Sequence, residues 1–183
     1  MKKDAGNIHR LFSLLLLMWI SMCLSVVFIV IKAGYVDQYL EDSLMQANLA
    51  AILVDPYQYG RTGELIFDDV NQIKTIFEES INASLENVQK LGIEEAAKVL
   101  DFRLYEVRED GVLEMICMAD IPEVSFYDVG TLVEAPDGTR IVSSTIYAKI
   151  SVPIRFGFGI QIISTKEHCV DVMVSEENKY AEI

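Results

Sequence analysis

The sequence predicts an α+β protein built on a long N-terminal helix, and three of its features carry that expectation. An uncharged apolar run fills residues 11–31 and passes into polar sequence that keeps helical spacing. A second stripe of apolar residues at three- and four-residue spacing follows between residues 70 and 90. From Leu100 the period shortens toward the two of a strand. Helices first and strands afterwards is the order of an α+β fold with a mainly antiparallel sheet.

The first element, 11–31, is interrupted only by Ser13, Ser21 and Ser25. As a helix it would be about 31 Å long, the thickness of a bilayer hydrocarbon core, so it reads as a transmembrane helix. Lys2, Lys3 and Arg10 precede it against one acid, Asp4, whereas Asp37, Glu41 and Asp42 follow Lys32. Basic residues are retained on the cytoplasmic side. This predicts a single pass through the cell membrane, with residues 1–10 in the cytoplasm and the C-terminal domain outside it. A cleavable signal would have a shorter apolar core and a small-x-small site, and the nearest triplet, Ile31-Lys32-Ala33, has the wrong first residue.

Residues 32–55 read as a continuation of this helix into water. Val36, Leu40, Ser43, Ala47, Ala50 and Val54 recur at helical spacing and make one narrow face of small-residue character, while Asp37, Gln38, Glu41, Asp42, Gln46 and Asn48 populate the rest. Gly34 costs about 1 kcal/mol relative to alanine in a helix interior, a tolerable loss or the mark of a slight kink. Asp55-Pro56 stops the helix, because the residue before proline is pushed out of the α region. The rod over 11–54 would be about 66 Å long.

Residues 56–174 form the outer domain. After a turn-rich stretch, 57–63, Asp68 and Asp69 open a second amphipathic helix whose apolar face is Ile73, Phe77, Ile81, Leu85 and Val88, with Gly92 closing it in the left-handed conformation. Residues 93–99 could add a helical turn. Strands over 101–109 and 112–119 flank Asp110-Gly111, a hairpin signal because both residues tolerate positive φ. The stretch 120–130 reads as a loop, since Pro122 disfavours a central strand. Strands over 131–134 and 140–152 flank the turn Pro136-Asp137-Gly138, a Gly-bearing link spans 155–159, and the last strand covers 160–174. Residues 175–183 make a polar tail.

Charge and composition exclude several function classes. The chain carries −13; residues 1–32 hold four basic groups and one acid, which leaves −16 for residues 33–183. So acidic an outer part is no partner for DNA or RNA, and an anionic lipid surface would repel it. His168 is the one imidazole outside the cytoplasm, and its neighbour Cys169 points to the opposite face of a strand, so the two make no catalytic dyad. No G-x-S-x-G occurs, zinc ligands are lacking, and no calcium-wrapping loop is present. The glycines of Arg155-Phe156-Gly157-Phe158-Gly159 read as a turn between strands, and Asn82-Ala83-Ser84 fits a glycosylation acceptor but falls inside the second helix. The expectation is a protein that is not an enzyme and holds no cofactor or metal. Cys117 and Cys169 read as free buried thiols, with a disulfide between them as the alternative.

What remains is a surface for assembly. Ser43, Ala47 and Ala50 either pack on the protein's own sheet or meet a helix of another subunit. Glu41 and Asp42 are either solvated or paired with a neighbour's basic residues. Tyr35 and Tyr39 sit where a headgroup belt is expected, while Trp19 lies too deep for one.

A long helix, half apolar and half amphipathic, followed by a small acidic α+β head, is the layout of pilins and pseudopilins. The segment Tyr35-Val36-Asp37-Gln38-Tyr39-Leu40-Glu41-Asp42-Ser43-Leu44, with Ala47-Asn48-Leu49-Ala50-Ala51 and Asp55, resembles minor pilins and TadE-like proteins of tight-adherence (Flp-type) pilus secretion systems in Gram-positive anaerobes. So do Ser144-Thr145-Ile146-Tyr147-Ala148-Lys149-Ile150-Ser151-Val152-Pro153-Ile154 and Lys166-Glu167-His168-Cys169-Val170-Asp171-Val172. The resemblance covers nearly the whole chain and implies a role in a surface filament or its basal apparatus, with other pilin-like or pilus assembly proteins as partners. One departure stands out: with Gly6 taken as the glycine before the cleavage site of a prepilin, the fifth mature residue is Leu11 instead of the usual Glu. The other function class is an extracytoplasmic ligand-binding or sensing module that acts through a separate partner; an apolar pocket with converging polar groups would mark it.

Overall fold

The computed structural model describes residues 3–52, 66–67, 69–86, 92–93, 95–119, 121–156 and 159–172. The chain is α+β, with a long apolar N-terminal helix, a second helix and a five-stranded antiparallel sheet.

Helix α1 spans Lys3–Ala50 without a break at Gly34, a length of about 72 Å. It ends short of Asp55-Pro56. The Ala51 N–H still donates to the Ala47 carbonyl at 3.0 Å, but the Ile52 N–H reaches back only three residues, to Leu49 at 3.3 Å, the tightened turn in which helices often terminate. Val54, Asp55-Pro56 and the turn-rich 57–63 lie outside the described residues.

Helix α2 spans Val70–Glu86. Asp69 caps it, its Oδ1 accepting the N–H groups of Asn71 and Gln72, each at 3.0 Å. Ile73, Phe77, Ile81 and Leu85 are buried as their spacing predicts; Asp68 and Val88 lie outside the described residues.

The sheet comprises β1 (Lys98–Arg108), β2 (Gly111–Ile116), β3 (Glu123–Asp128), β4 (Thr145–Arg155) and β5 (Gln161–Asp171), in the spatial order β3-β2-β1-β4-β5. Four sequence expectations are corrected here. The β1–β2 hairpin pairs Arg108 with Gly111, so Glu109-Asp110 form the turn, one residue earlier than expected. Gly111 is required for another reason, because a Cβ there would lie 2.1 Å from the Tyr127 carbonyl oxygen. The expected loop 120–130 contains β3; Pro122 immediately precedes it, and an edge strand is where proline is tolerated. Gly92 does not cap α2, which ends at Glu86; at φ +92° it lies against β4, where a Cβ would meet the Arg155 carbonyl oxygen at 2.0 Å. Residue 93 adds no helical turn, because Ile93 bridges to Ile154 and β1 starts at Lys98.

The Pro136-Asp137 turn forms as expected, with the Thr139 N–H donating to Asp137 Oδ1 at 2.9 Å, but its flanks meet only in an isolated Glu134–Arg140 bridge, so the strand expected over 131–134 is absent and the one expected from 140 starts at Thr145. Gly157, Phe158 and the tail 175–183 lie outside the described residues. Strand alternation then divides the interior. Ile146, Ala148, Ile150, Val152 and Ile154 of β4 face α1 and α2 in the main core, together with Phe102 and Leu104. On the other face a smaller cluster gathers Tyr105, Val133, Ala135, Ile141 and Tyr147 under the 131–141 segment.

Candidate functional site

Helix α1 changes character at Lys32. Below it, the large apolar residues from Leu11 to Ile31 are exposed on every side but for a partly covered Ile29, and the helix is long and apolar enough to cross a membrane. The serines in the run do not compromise this. Ser13 Oγ donates to the His9 carbonyl at 3.0 Å and Ser25 Oγ to the Ser21 carbonyl at 2.9 Å, so two of its hydroxyls are satisfied within the helix itself. Trp19 is exposed on this surface.

Above Lys32 one side of the helix is buried in the C-terminal domain: Val36, Leu40, Ser43, Leu44, Ala47, Asn48 and Ala51. The small side chains at 43, 47 and 51 lie on this buried side, where α1 packs against both α2 and β5. Polar ties fix its register. Lys166 Nζ lies 2.7 Å from Asp37 Oδ1, Asn48 Nδ2 donates to the His168 carbonyl at 3.2 Å, and the Tyr39 hydroxyl donates to the Ser84 carbonyl at 2.8 Å. Lys32 Nζ donates to the Arg155 carbonyl at 3.4 Å and sits 5.4 Å from the centre of the Phe156 ring.

The five residues singled out for assembly therefore do not form one surface. Ser43 and Ala47 are buried against the protein's own domain, which is the first of their two readings and leaves neither accessible to a neighbouring helix. Ala50 is exposed on the other side, with Ala51 taking the buried position; Glu41 and Asp42 are exposed as well. Tyr39 is half-buried and bonded to α2, so of the two tyrosines only Tyr35 is available to a headgroup belt. The stripe that α1 presents outward is Tyr35, Gln38, Asp42, Met45 and Leu49. Met45 and Leu49 carry its apolar character. Their spacing of four is visible in the sequence, whereas the longer run of small residues marks the face that the protein's own domain covers.

The opposite face of the sheet holds a closed polar network. Glu114 Oε1 accepts from Arg103 and from the Tyr105 hydroxyl, both at 3.0 Å, and its Oε2 accepts from Tyr127 at 2.8 Å; Arg103 also grips Asp101. Glu167 accepts from Lys149 at 2.7 Å and from Tyr147 at 2.8 Å, and those hydrogen bonds, Lys149 foremost, hold its carboxyl below the usual range. Burial raises the hydroxyls of Tyr105 and Tyr147 above their ordinary value. Carboxylates with these partners brace a sheet.

Cys117 and Cys169 are free thiols on opposite faces of the sheet, Cys117 in the main core and Cys169 beside the smaller cluster. Burial pushes the first up to about 11, and burial with the nearby Asp137 carboxylate pushes the second up to about 12. Neither is a nucleophile at neutral pH. His168 contributes its carbonyl to Asn48, and Asn82 accepts the Ala97 N–H at 3.0 Å, which gives that side chain a packing role. No group of three or more residues able to hold a metal ion occurs among the described residues. The chain matches no protein-family model, no curated protein and no solved structure.

Proposed function

We propose that this is a non-enzymatic, single-pass membrane protein, N-terminus in and C-terminus out, acting as a minor pilin or assembly component of a tight-adherence type pilus or secretion apparatus. The observation that carries the reading is the division of α1. An unbroken helix leaves its lower half exposed on all sides, while its upper half is fastened to a domain through one side only. Such a helix can bundle with others like it while the acidic domain is displayed outside. The outward stripe Tyr35, Gln38, Asp42, Met45 and Leu49 is the surface for that contact, flanked by Glu41 and Ala50, with Glu41 and Asp42 available to a neighbour's basic residues. The resemblance of residues 35–55 to TadE-like proteins supports the same role.

The test is thiol cross-linking in cells that make the whole secretion apparatus, with cysteine introduced at Met45, Leu49 or Ala47 in a background lacking Cys23, Cys117 and Cys169. Adducts to other subunits are expected from Met45 and Leu49 and not from buried Ala47. Recovery of monomer alone from all three positions would remove the assembly role.

A further inference from the structure

We infer that the lower end of the β4–β5 hairpin is a second membrane contact, in which Ile160, Ile162 and Ile163, beside the buried Phe156, enter the outer phospholipid headgroup layer of the bilayer that α1 crosses. The inference rests on the single-pass reading of α1 and adds a lipid-facing surface on the outer domain.

Three observations fix the level of this surface. Lys32, the first charged residue after the apolar run, donates to the Arg155 carbonyl, so the last residue of β4 lies at the membrane exit. Phe156 lines an open apolar groove of about 470 Å³ with Leu24, Phe28 and Ile29 of α1. Phe28 is one turn below Lys32, about 6 Å, so the groove that Phe156 and Lys32 share extends down the apolar half of the helix. From there β5 climbs away along the helix. Gln161 pairs with Arg155, Lys166 meets Asp37, and the His168 carbonyl meets Asn48. The three isoleucines thus sit at the foot of an ascending edge strand, within the headgroup layer of about 5–7 Å that flanks each side of the hydrocarbon.

Their exposure and charge fit that place. Ile160, Ile162 and Ile163 are exposed, Ile163 at 68 %. Ile162 and Ile163, on the two faces of an edge strand, and Ile160 just before it are what a water-facing edge avoids and an interfacial one uses. Acidity, which would keep the domain off phosphate groups, is absent here. No Asp or Glu occurs anywhere in residues 138–166, a stretch of 29 residues that contains Arg140, Lys149, Arg155 and Lys166, inside an outer part that carries −16. The acids are withheld from the foot of this strand pair and begin only at Glu167, higher on β5.

The full chain in phosphatidylcholine vesicles tests this through tryptophan quenching, since Trp19 is its one tryptophan. In a Trp19→Phe background, tryptophan is placed at Ile160, at Ile163, or at Val129, which is exposed at the far end of β3. Lipids brominated high on their acyl chains should remove roughly half of the emission at Ile160 and Ile163 and leave Val129 unchanged, the pattern of an interfacial contact. Red-shifted, unquenched emission at both isoleucine positions would overturn the proposal. So would blue-shifted emission that ignores brominated lipid and grows with protein concentration, which would mean that a second copy of the chain covers the strand. The unmodified protein separates this proposal from the reading beneath it: quenching of Trp19 by deeply brominated lipid keeps the membrane helix even where the isoleucine positions fail, and its loss removes both.

Discussion

Residues 11–31 and 36–51 belong to one helix, yet the first stretch is exposed all round, while the second has one side completely buried and the other in water. Composition separates the two. The lower stretch is apolar at every angle, so no single packing face could cover it, and it is long and apolar enough to cross a bilayer's hydrocarbon core. The upper stretch alternates small and branched apolar residues on one side with acids and amides on the other. It is held by close packing and by single hydrogen bonds to β5 and α2. One half of the helix is therefore matched to a medium and the other to a shape.

That contrast can be broken most forcefully at Leu44, which is fully buried. Leu44→Ala should cost the outer domain about 2–5 kcal/mol, a cavity effect, while Leu17→Ala in the exposed half should leave that domain within about 0.5 kcal/mol. Denaturant melts of the purified protein in detergent, followed by a probe in the sheet, would read both. Equal losses would erase the distinction between the halves. A finer version compares two alanines three residues apart. Ala47→Leu should cost about 1–3 kcal/mol by overpacking against the domain, whereas Ala50→Leu should be tolerated in the same melts.

Gly34 tests the junction. A methyl group there meets no atom within 4 Å and the helix passes through it unbroken, so Gly34→Ala should raise stability by about 1 kcal/mol or somewhat less, measurable as a higher thermal midpoint. A lowered midpoint would show that the native backbone departs from the helix at this position. The smallest effect is expected at Glu167. Because Lys149 and Tyr147 hold its folded pKa below the unfolded one, its contribution is fully present above the unfolded value and is lost as pH falls through the folded value. Glu167→Gln should therefore cost about 0.2–1 kcal/mol at neutral pH, and the difference from the parent should vanish in acid titrations below the carboxylate range.

Much of this contrast is legible in the sequence. The apolar run, the stripe Ile73, Phe77, Ile81 and Leu85, and the change of period near Leu100 depend on local pattern, and local pattern survives folding. The errors fell where long-range contact decides. Gly92 has the sequence appearance of a helix cap, but its positive φ serves a close approach to Arg155, sixty residues away in another element. The β3 strand escaped notice because proline discourages a central strand and says nothing against an edge. Small residues at Ser43, Ala47 and Ala50 mark a close-packed helix face in general, and only the placement of α2 and β5 against α1 says that the partner is internal and that Ala51 replaces Ala50. The proposed lipid contact of the β4–β5 hairpin is not legible in the sequence for the same reason: its isoleucines and its missing acids gain meaning once Lys32 is placed beside Arg155.

The central claim, that one straight helix joins the hydrocarbon half to the domain-bearing half, is tested most directly by a spin-label distance. With the three native cysteines replaced, nitroxides at Leu17→Cys and Leu49→Cys lie on exposed positions of the two halves. In lipid nanodiscs they should give a single narrow distribution near ~48 Å, the rise of the intervening helical residues. A distribution centred well below that, or one spread broadly by bending at Gly34, would contradict it.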